Sequence, residues 1–349
     1  MKSEPSLFAA FAMSLALSTT LVGCGGGGST SSPTPTPTPT PSPSQYAAPV
    51  TTVPAPTYPA DTATNVQLGV FAGINSLRGK IGTGELKQNT LLDQAAQNHW
   101  SYVNQNGIVG EHTETPGLPG FAGAGPTARW TQVGFNSAGA GTEVMASFGA
   151  TLTASTCIGG WENSVYHQAI LFTPALDVGI AGETFTVVNP GFSDCTVDAA
   201  TPSSAASIGQ LPVDGSVLVY PYSGQTGVTP AFNNAGEFPN PAPDLNGAGH
   251  PIGVSLATQN HPQPVVVISQ LTVTPQGGSP IAIRILGRST TTGGPGVVVT
   301  MDTNKVLING LVGVLPVAAL APSTTYTAVF AGTVDGTAVS KTWSFTTGQ

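Results

Sequence analysis

A chain of 349 residues with 40% hydrophobic and 7% charged residues is too apolar to be disordered throughout, and its 44 glycines and 31 prolines break it too often for a helical bundle. That length accommodates about two ordinary domains. A net charge of −8 argues against nucleic acid as a partner, since that needs a basic face. Between Asp61 and Ala200 eleven acidic residues stand against four basic ones, so the middle of the chain excludes polyanions most strongly.

The chain opens with Lys2 and an apolar run from Leu7 to Leu21, too short to span a bilayer with ease and suited to a targeting segment. It ends in Leu21-Val22-Gly23-Cys24, which resembles the bacterial lipobox. The resemblance implies cleavage before Cys24, lipid on that cysteine and a membrane as partner; Gly25, in place of a retaining aspartate, implies the outer membrane or cell surface. Each buried acyl methylene contributes about 0.8 kcal/mol to such an anchor. The thin basic start leaves a plain leader, with a secreted or periplasmic product, as the alternative. Residues 25–59 follow as a linker rich in Gly, Pro, Thr and Ser, with no apolar face to bury. The alternating prolines from Pro33 to Pro41 favour extended polyproline II, a semi-rigid spacer.

Order is expected from Ala60. Leu68, Phe71, Ile74 and Leu77 fall at helical spacing within Asn65–Leu77, ending at Arg78-Gly79. A second helix carries Leu91, Leu92, Ala95, Ala96, His99, Tyr102 and Val103 on one stripe and stops at Asn106-Gly107. His99 on that stripe reads as a packing residue rather than a ligand. Thr184 to Val188 reads as a strand closed by the turn Asn189-Pro190-Gly191. Helices and short strands alternate without a regular βα rhythm. The pattern predicts an α+β fold, an α/β/α sandwich around a small, mainly antiparallel sheet over residues 60–200. With Cys24 assigned to lipid, Cys157 and Cys195 remain as an even pair in an exported chain. Joined, they would close a loop of about 39 residues and stabilise by roughly 4 kcal/mol; two free buried thiols are the alternative.

Seven short pieces then occur in a telling order: Ile74-Asn75-Ser76-Leu77-Arg78, the Leu91 helix, Glu111-His112-Thr113-Glu114, Arg129 with Val133-Gly134-Phe135, Thr142-Glu143, Trp161-Glu162-Asn163-Ser164 with His167, and Asp177-Val178-Gly179-Ile180-Ala181. The set resembles the CAP superfamily, the cysteine-rich secretory, antigen 5 and pathogenesis-related group, in its short bacterial branch, and covers about Thr64 to Ala200. The resemblance implies a cleft holding His112, Glu143 and His167, with a divalent cation such as zinc on His112 and His167. Such binding would weaken as pH falls through the histidine range near ~6.5. Two motifs depart from the family: Val144 replaces an asparagine, and Ser164-Val165-Tyr166-His167 replaces Ser-Pro-Gly-His. Glu162 and Glu114 are the candidates for a second cleft carboxylate. Ser164, also placed at the cleft, reads as a cap rather than a nucleophile.

After a linker at 201–212, residues 213–349 show strands at regular spacing with glycine turns: Val217–Pro221, Gly224–Val228, Val265–Val273, Ile281–Leu286, Val297–Met301, Tyr326–Phe330 and Lys341–Thr346. These predict an all-β sandwich. Leu320-Ala321-Pro322-Ser323-Thr324-Thr325-Tyr326 resembles the tyrosine corner of fibronectin type III and immunoglobulin-like domains, and implies a hydroxyl bonded back to the backbone. His250 and His261 lie near prolines in expected loops, and no site is expected in this separate module. The reading is a cell-envelope lipoprotein whose cleft binds a small ligand, an envelope component or a divalent metal. Its rivals are a metal-assisted hydrolase of envelope peptide or polysaccharide and a structural or adhesive protein.

Overall fold

Two helices form where the apolar stripes place them. α1 (Gln67–Ile81) runs one turn past the expected end and stops at Gly82, whose φ of 94° gives the left-handed cap. The extra turn is held by Arg78, which is fully buried and donates to the carbonyls of Gly84, Ile170, Thr83 and Thr173. α2 (Thr90–Asn106) begins at Asn89, whose side chain accepts from Leu91 N, and ends at Gly107 as its sequence predicts. The computed structural model describes residues 44–139, 141–149, 151–184 and 192–349. Cys24, the targeting segment, the proline tract and residues 185–188 of the expected strand with its turn lie outside them.

α3 (Pro126–Gln132), α4 (Ala154–Glu162) and α5 (Ala169–Phe172) complete the helices, and β1 (Lys87–Gln88), β2 (Thr142–Phe148), β3 (Asp177–Thr184) and β4 (Ser193–Ala200) form one sheet in the order β1-β3-β4-β2. β4 pairs antiparallel with both β2 and β3, and only the short β1 is parallel to its neighbour. Side chains alternate between the faces of a strand. Val144, Val178, Ile180 and Val197 accordingly enter the core shared with α1, while Met145, Ala181 and Ala200 pack towards α2 and α3. Gly179 permits the close seat of α2: a Cβ there would stand 2.0 Å from the Leu92 carbonyl carbon. Cys157 of α4 and Cys195 of β4 form the expected disulfide.

The later strands make two five-stranded sheets. One has the order β12-β10-β15-β16-β6, from β6 (Gln225–Val228), β10 (Val266–Pro275), β12 (Thr291–Gly293), β15 (Thr325–Val334) and β16 (Thr337–Thr347). The other has the order β13-β11-β14-β9-β5, from β5 (Leu218–Tyr220), β9 (Ile252–Ser255), β11 (Ile283–Gly287), β13 (Val299–Met301) and β14 (Leu311–Pro316). β7 (Ala231–Phe232) and β8 (Ala248–Gly249) form a small ribbon beside them. The two large sheets enclose one apolar core, in which Val254, Ile285 and Val312 face Ile268, Phe330 and Trp343. Ala321 N donates to Tyr326 Oη at 2.8 Å, the backbone bond the corner motif implies.

Three boundaries are corrected. The linker ends sooner than residue 59, because from Ser44 onward the chain is held: Ala47 bridges Gln210, Glu85 N donates to Val50 O, and Tyr58 donates to Asp93 and packs edge-on against Phe71. Residues 201–212 are likewise tied down, although Ser203, Ser204, Ala206 and Ile208 stay exposed: Gln210 is buried and donates to the carbonyls of Glu85 and Ala175. Finally, the sandwich is not a separate module. Tyr220, Phe232, Leu286, Leu307 and Leu311 belong to the same apolar cluster as α1 and Trp161, and the described residues form one compact unit.

Candidate functional site

The cleft is built on a buried chain of charges. Glu143 on β2 accepts from Arg129 of α3 at 2.8 and 2.6 Å and from His112 Nδ1 at 2.8 Å. Arg129, fully buried, also donates to the carbonyl of His112 and lies 3.6 Å from Glu114. Glu114 accepts from Ala122 N, Gly123 N and His99 Nδ1. His99 Nε2 reaches the carbonyl of Glu111, so both ring nitrogens have protein partners and the residue is a packing group, as its place on the stripe suggests. Burial pushes the Glu143 carboxyl up, but the bond from His112 and the charge of Arg129 outweigh it and hold the pKa at about 2. Glu143 is therefore an anion that fixes His112 at Nδ1 and leaves Nε2 as the free ring nitrogen. Its neighbour across the ladder, Asp198, is fully buried; desolvation first and then the charge of Glu143 raise its carboxyl well above the usual range.

His167 comes from the turn between α4 and α5. Its backbone N–H donates to Ser164 Oγ at 2.9 Å, and its Nδ1 lies 2.9 Å from the same oxygen. The Ser164 hydroxyl in turn donates in a short bond to Glu237, which also accepts from the backbone N–H groups of Val165 and Tyr166. With the single hydroxyl proton given to Glu237, His167 donates at Nδ1 and keeps a lone pair on Nε2. Ser164 thus caps the turn: its oxygen accepts from the His167 N–H and its hydroxyl proton is held by Glu237. Burial, then the charge of His112, lowers the His167 pKa to about 4. This ring therefore stays neutral until well below ~6.5.

The rings of His112 and His167 lie 6.3 Å apart between centroids, and both line a cavity of about 250 Å³ with Glu143, Tyr166 and Phe238. Among the described residues neither Nε2 has a protein hydrogen-bond partner. His167 and Phe238 also border a second cavity of about 770 Å³. His112, Glu143, His167 and Ser164 are therefore brought together. The two candidate second carboxylates are not: Glu114 is spent on His99 and Arg129, and the Glu162 carboxyl faces Tyr220 and Lys80, where burial raises its pKa. Val144, in the asparagine position, is buried in the α1 core.

Three contributors come from the half in which no site was expected. Glu237 follows a single 3₁₀ turn, and Asp302 and Asn304 hold the Tyr166 hydroxyl at 2.8 and 2.9 Å. No spacing signal in the sequence ties Glu237 to a turn 71 to 73 residues earlier. Arg129 had one: it is the lone basic residue between Gly107 and Ala200, amid carboxylates. His250 lies in the connection between β8 and β9 as expected but is buried, and burial lowers its pKa to about 3; His261 pairs with Asp335 at the surface. Among the described residues no three His, Cys, Asp or Glu side chains converge as a metal site, and no helix is long and apolar enough to cross a membrane.

No protein-family model matches this chain, and no curated protein does. Among solved structures, an outer surface protein from Borrelia burgdorferi is similar at 20% identity and a TM-score of 0.31, over 38% of this chain and 90% of that one. What stands on the structure itself is an α+β chain with one disulfide and a two-histidine cleft.

Proposed function

We propose that this chain is a CAP-like cell-envelope lipoprotein, with an immunoglobulin-like sandwich behind it, whose cleft binds a divalent cation such as zinc through His112 and His167. The observation that carries the reading is the pair of free Nε2 atoms on one cavity, each ring fixed from behind at Nδ1. Imidazole nitrogen suits zinc, and a carboxylate bonded to the far ring nitrogen orients the ring and raises its basicity. The donor set fits a site in which the protein supplies two ligands and water or a bound molecule supplies the others. When bound, the cation would offer a Lewis acid to that molecule. The chain's own part is to keep His167 neutral, hold Glu143 ionised and seat both rings.

Calorimetric titration of the full chain with zinc, beside His112→Ala and His167→Ala, tests this. One zinc per chain is expected, with each substitution weakening binding by at least about tenfold. Equal affinity in all three proteins would end the reading.

A further inference from the structure

The sheet that carries Glu143 ends in a free edge. In the order β1-β3-β4-β2, β2 pairs with β4 alone, and among the described residues no strand lies on its other side. Natural edge strands are usually blunted by lysine, proline or a bulge. β2 has no lysine, proline or bulge: its sequence is TEVMASF, its one charged side chain, Glu143, is buried against Arg129, and its register with β4 runs unbroken from Thr142 to Phe148.

The two cavities follow that edge. The larger is lined by Met145, Ala146, Ser147 and Phe148, the smaller by Gly141, Thr142, Glu143 and Val144. Because successive side chains point to opposite faces, a cavity on a face of the sheet touches every second residue. Contact with consecutive residues places both cavities along the edge, where the outward N–H and C=O groups project. They meet at His167 and Phe238, so together they form one groove along the whole strand. Across the groove, α4 presents Gly159, around whose Cβ position nothing lies within 4 Å.

We propose that this groove receives an extended peptide segment, which adds to β2 as a fifth strand and passes His112 and His167. At ~3.3 Å per residue, the edge accommodates about six to eight residues. Charge sets the class further. Of the lining carboxylates Glu143 and Glu237 are buried and already bonded, which leaves Glu111 as the open charge, and no lysine or arginine lines the groove, so the segment is uncharged or basic and free of Asp and Glu. An oligosaccharide does not repeat donors and acceptors at the strand period, which disfavours it here. The inference deepens the cleft reading by naming a ligand class, yet does not need the cation.

A displayed library of end-capped octapeptides lacking Asp and Glu, selected against the full chain, supplies the probe, and the strongest binder is measured by calorimetry. In a paired strand only alternate amides face the partner edge. N-methylation of one alternate set should therefore weaken binding by at least about tenfold, and of the other set by less than about twofold. Gly159→Trp, which fills the groove from α4, should abolish binding while leaving the thermal melting curve in place. Equal effects of the two methylation sets would overturn the proposal, as would binding that Gly159→Trp leaves intact. So would a selection that yields no binder, or a chitohexaose titration that binds where peptides do not. Zinc titration of the same preparation keeps the two ideas apart: loss of zinc binding with peptide binding intact overturns only the metal reading, and the reverse overturns only this one.

Discussion

The two halves of this molecule solve burial in different ways. Between its sheets the sandwich packs apolar side chains, Val266, Ile268, Val312, Val314 and Phe330 among them, and the described strands of those sheets bury no charged one. The helical half buries His99, Glu114, Arg129, Asp194 and Asp198 at 3% exposure or less. Replacing a buried ion pair by apolar residues is often neutral or stabilising, so such a chain of charges is weak evidence of a need for stability. What it does here is hold His112 by both its backbone and its ring. Where the later half buries acids, at Glu237 and Asp302, they sit on the seam and bond to the turn that carries His167. Charge is buried next to the cleft and avoided between the sandwich sheets.

Arg129→Ala would break that contrast most severely. It leaves Glu114 and Glu143 buried without their cation, and the expected loss is about 3–5 kcal/mol in urea unfolding. A loss under about 1 kcal/mol would mean that the charge chain is peripheral to the fold.

Acid tests the later half next, through its buried histidine. His250 stays neutral in the folded state down to about 3, whereas in the unfolded chain it binds a proton below ~6.5. A folded pKa below the unfolded one leaves stability unchanged above ~6.5 and removes it as pH falls towards 3. By pH ~4.5 the loss from this residue is about 3 kcal/mol, on 1.36 kcal/mol per unit. Denaturation at the two pH values on wild type and His250→Phe would measure it, and an equal pH slope in both proteins would refute it.

The smallest effect belongs to the sandwich. Tyr326→Phe removes the hydroxyl that accepts from Ala321 N, for an expected cost of about 1 kcal/mol with zinc affinity unchanged. A change in zinc binding would show that the corner communicates with the cleft.

Much of the fold was legible because its signals are local. The stripe of α2 and the Asn106-Gly107 stop lie within one element. The alternation TYTAVFAGTV in β15 shows a strand with one buried face. β14, LVGVLP, was missed because it is buried on both faces and carries no alternation. β4, SDCTVDAA, was missed because two aspartates in a fully buried central strand contradict the usual pattern. Of the site, His112, Glu143 and His167 were legible from the order of short motifs, while Glu162 was misplaced, since neighbourhood along the chain does not say which way a helix end faces.

By itself, then, the sequence determined the types of α1, α2 and most of the later strands, the strand-rich later half and the Cys157–Cys195 pair. Periodicity, turn residues and cysteine parity are all properties of neighbouring residues or of simple counts. Only the tertiary structure decided that Arg129 joins Glu114 to Glu143, that Glu237 caps the turn of His167, and that β2 is left as an edge beside a groove. Those depend on which distant segments meet, and a carboxylate carries no mark in the chain of the backbone N–H groups it will satisfy.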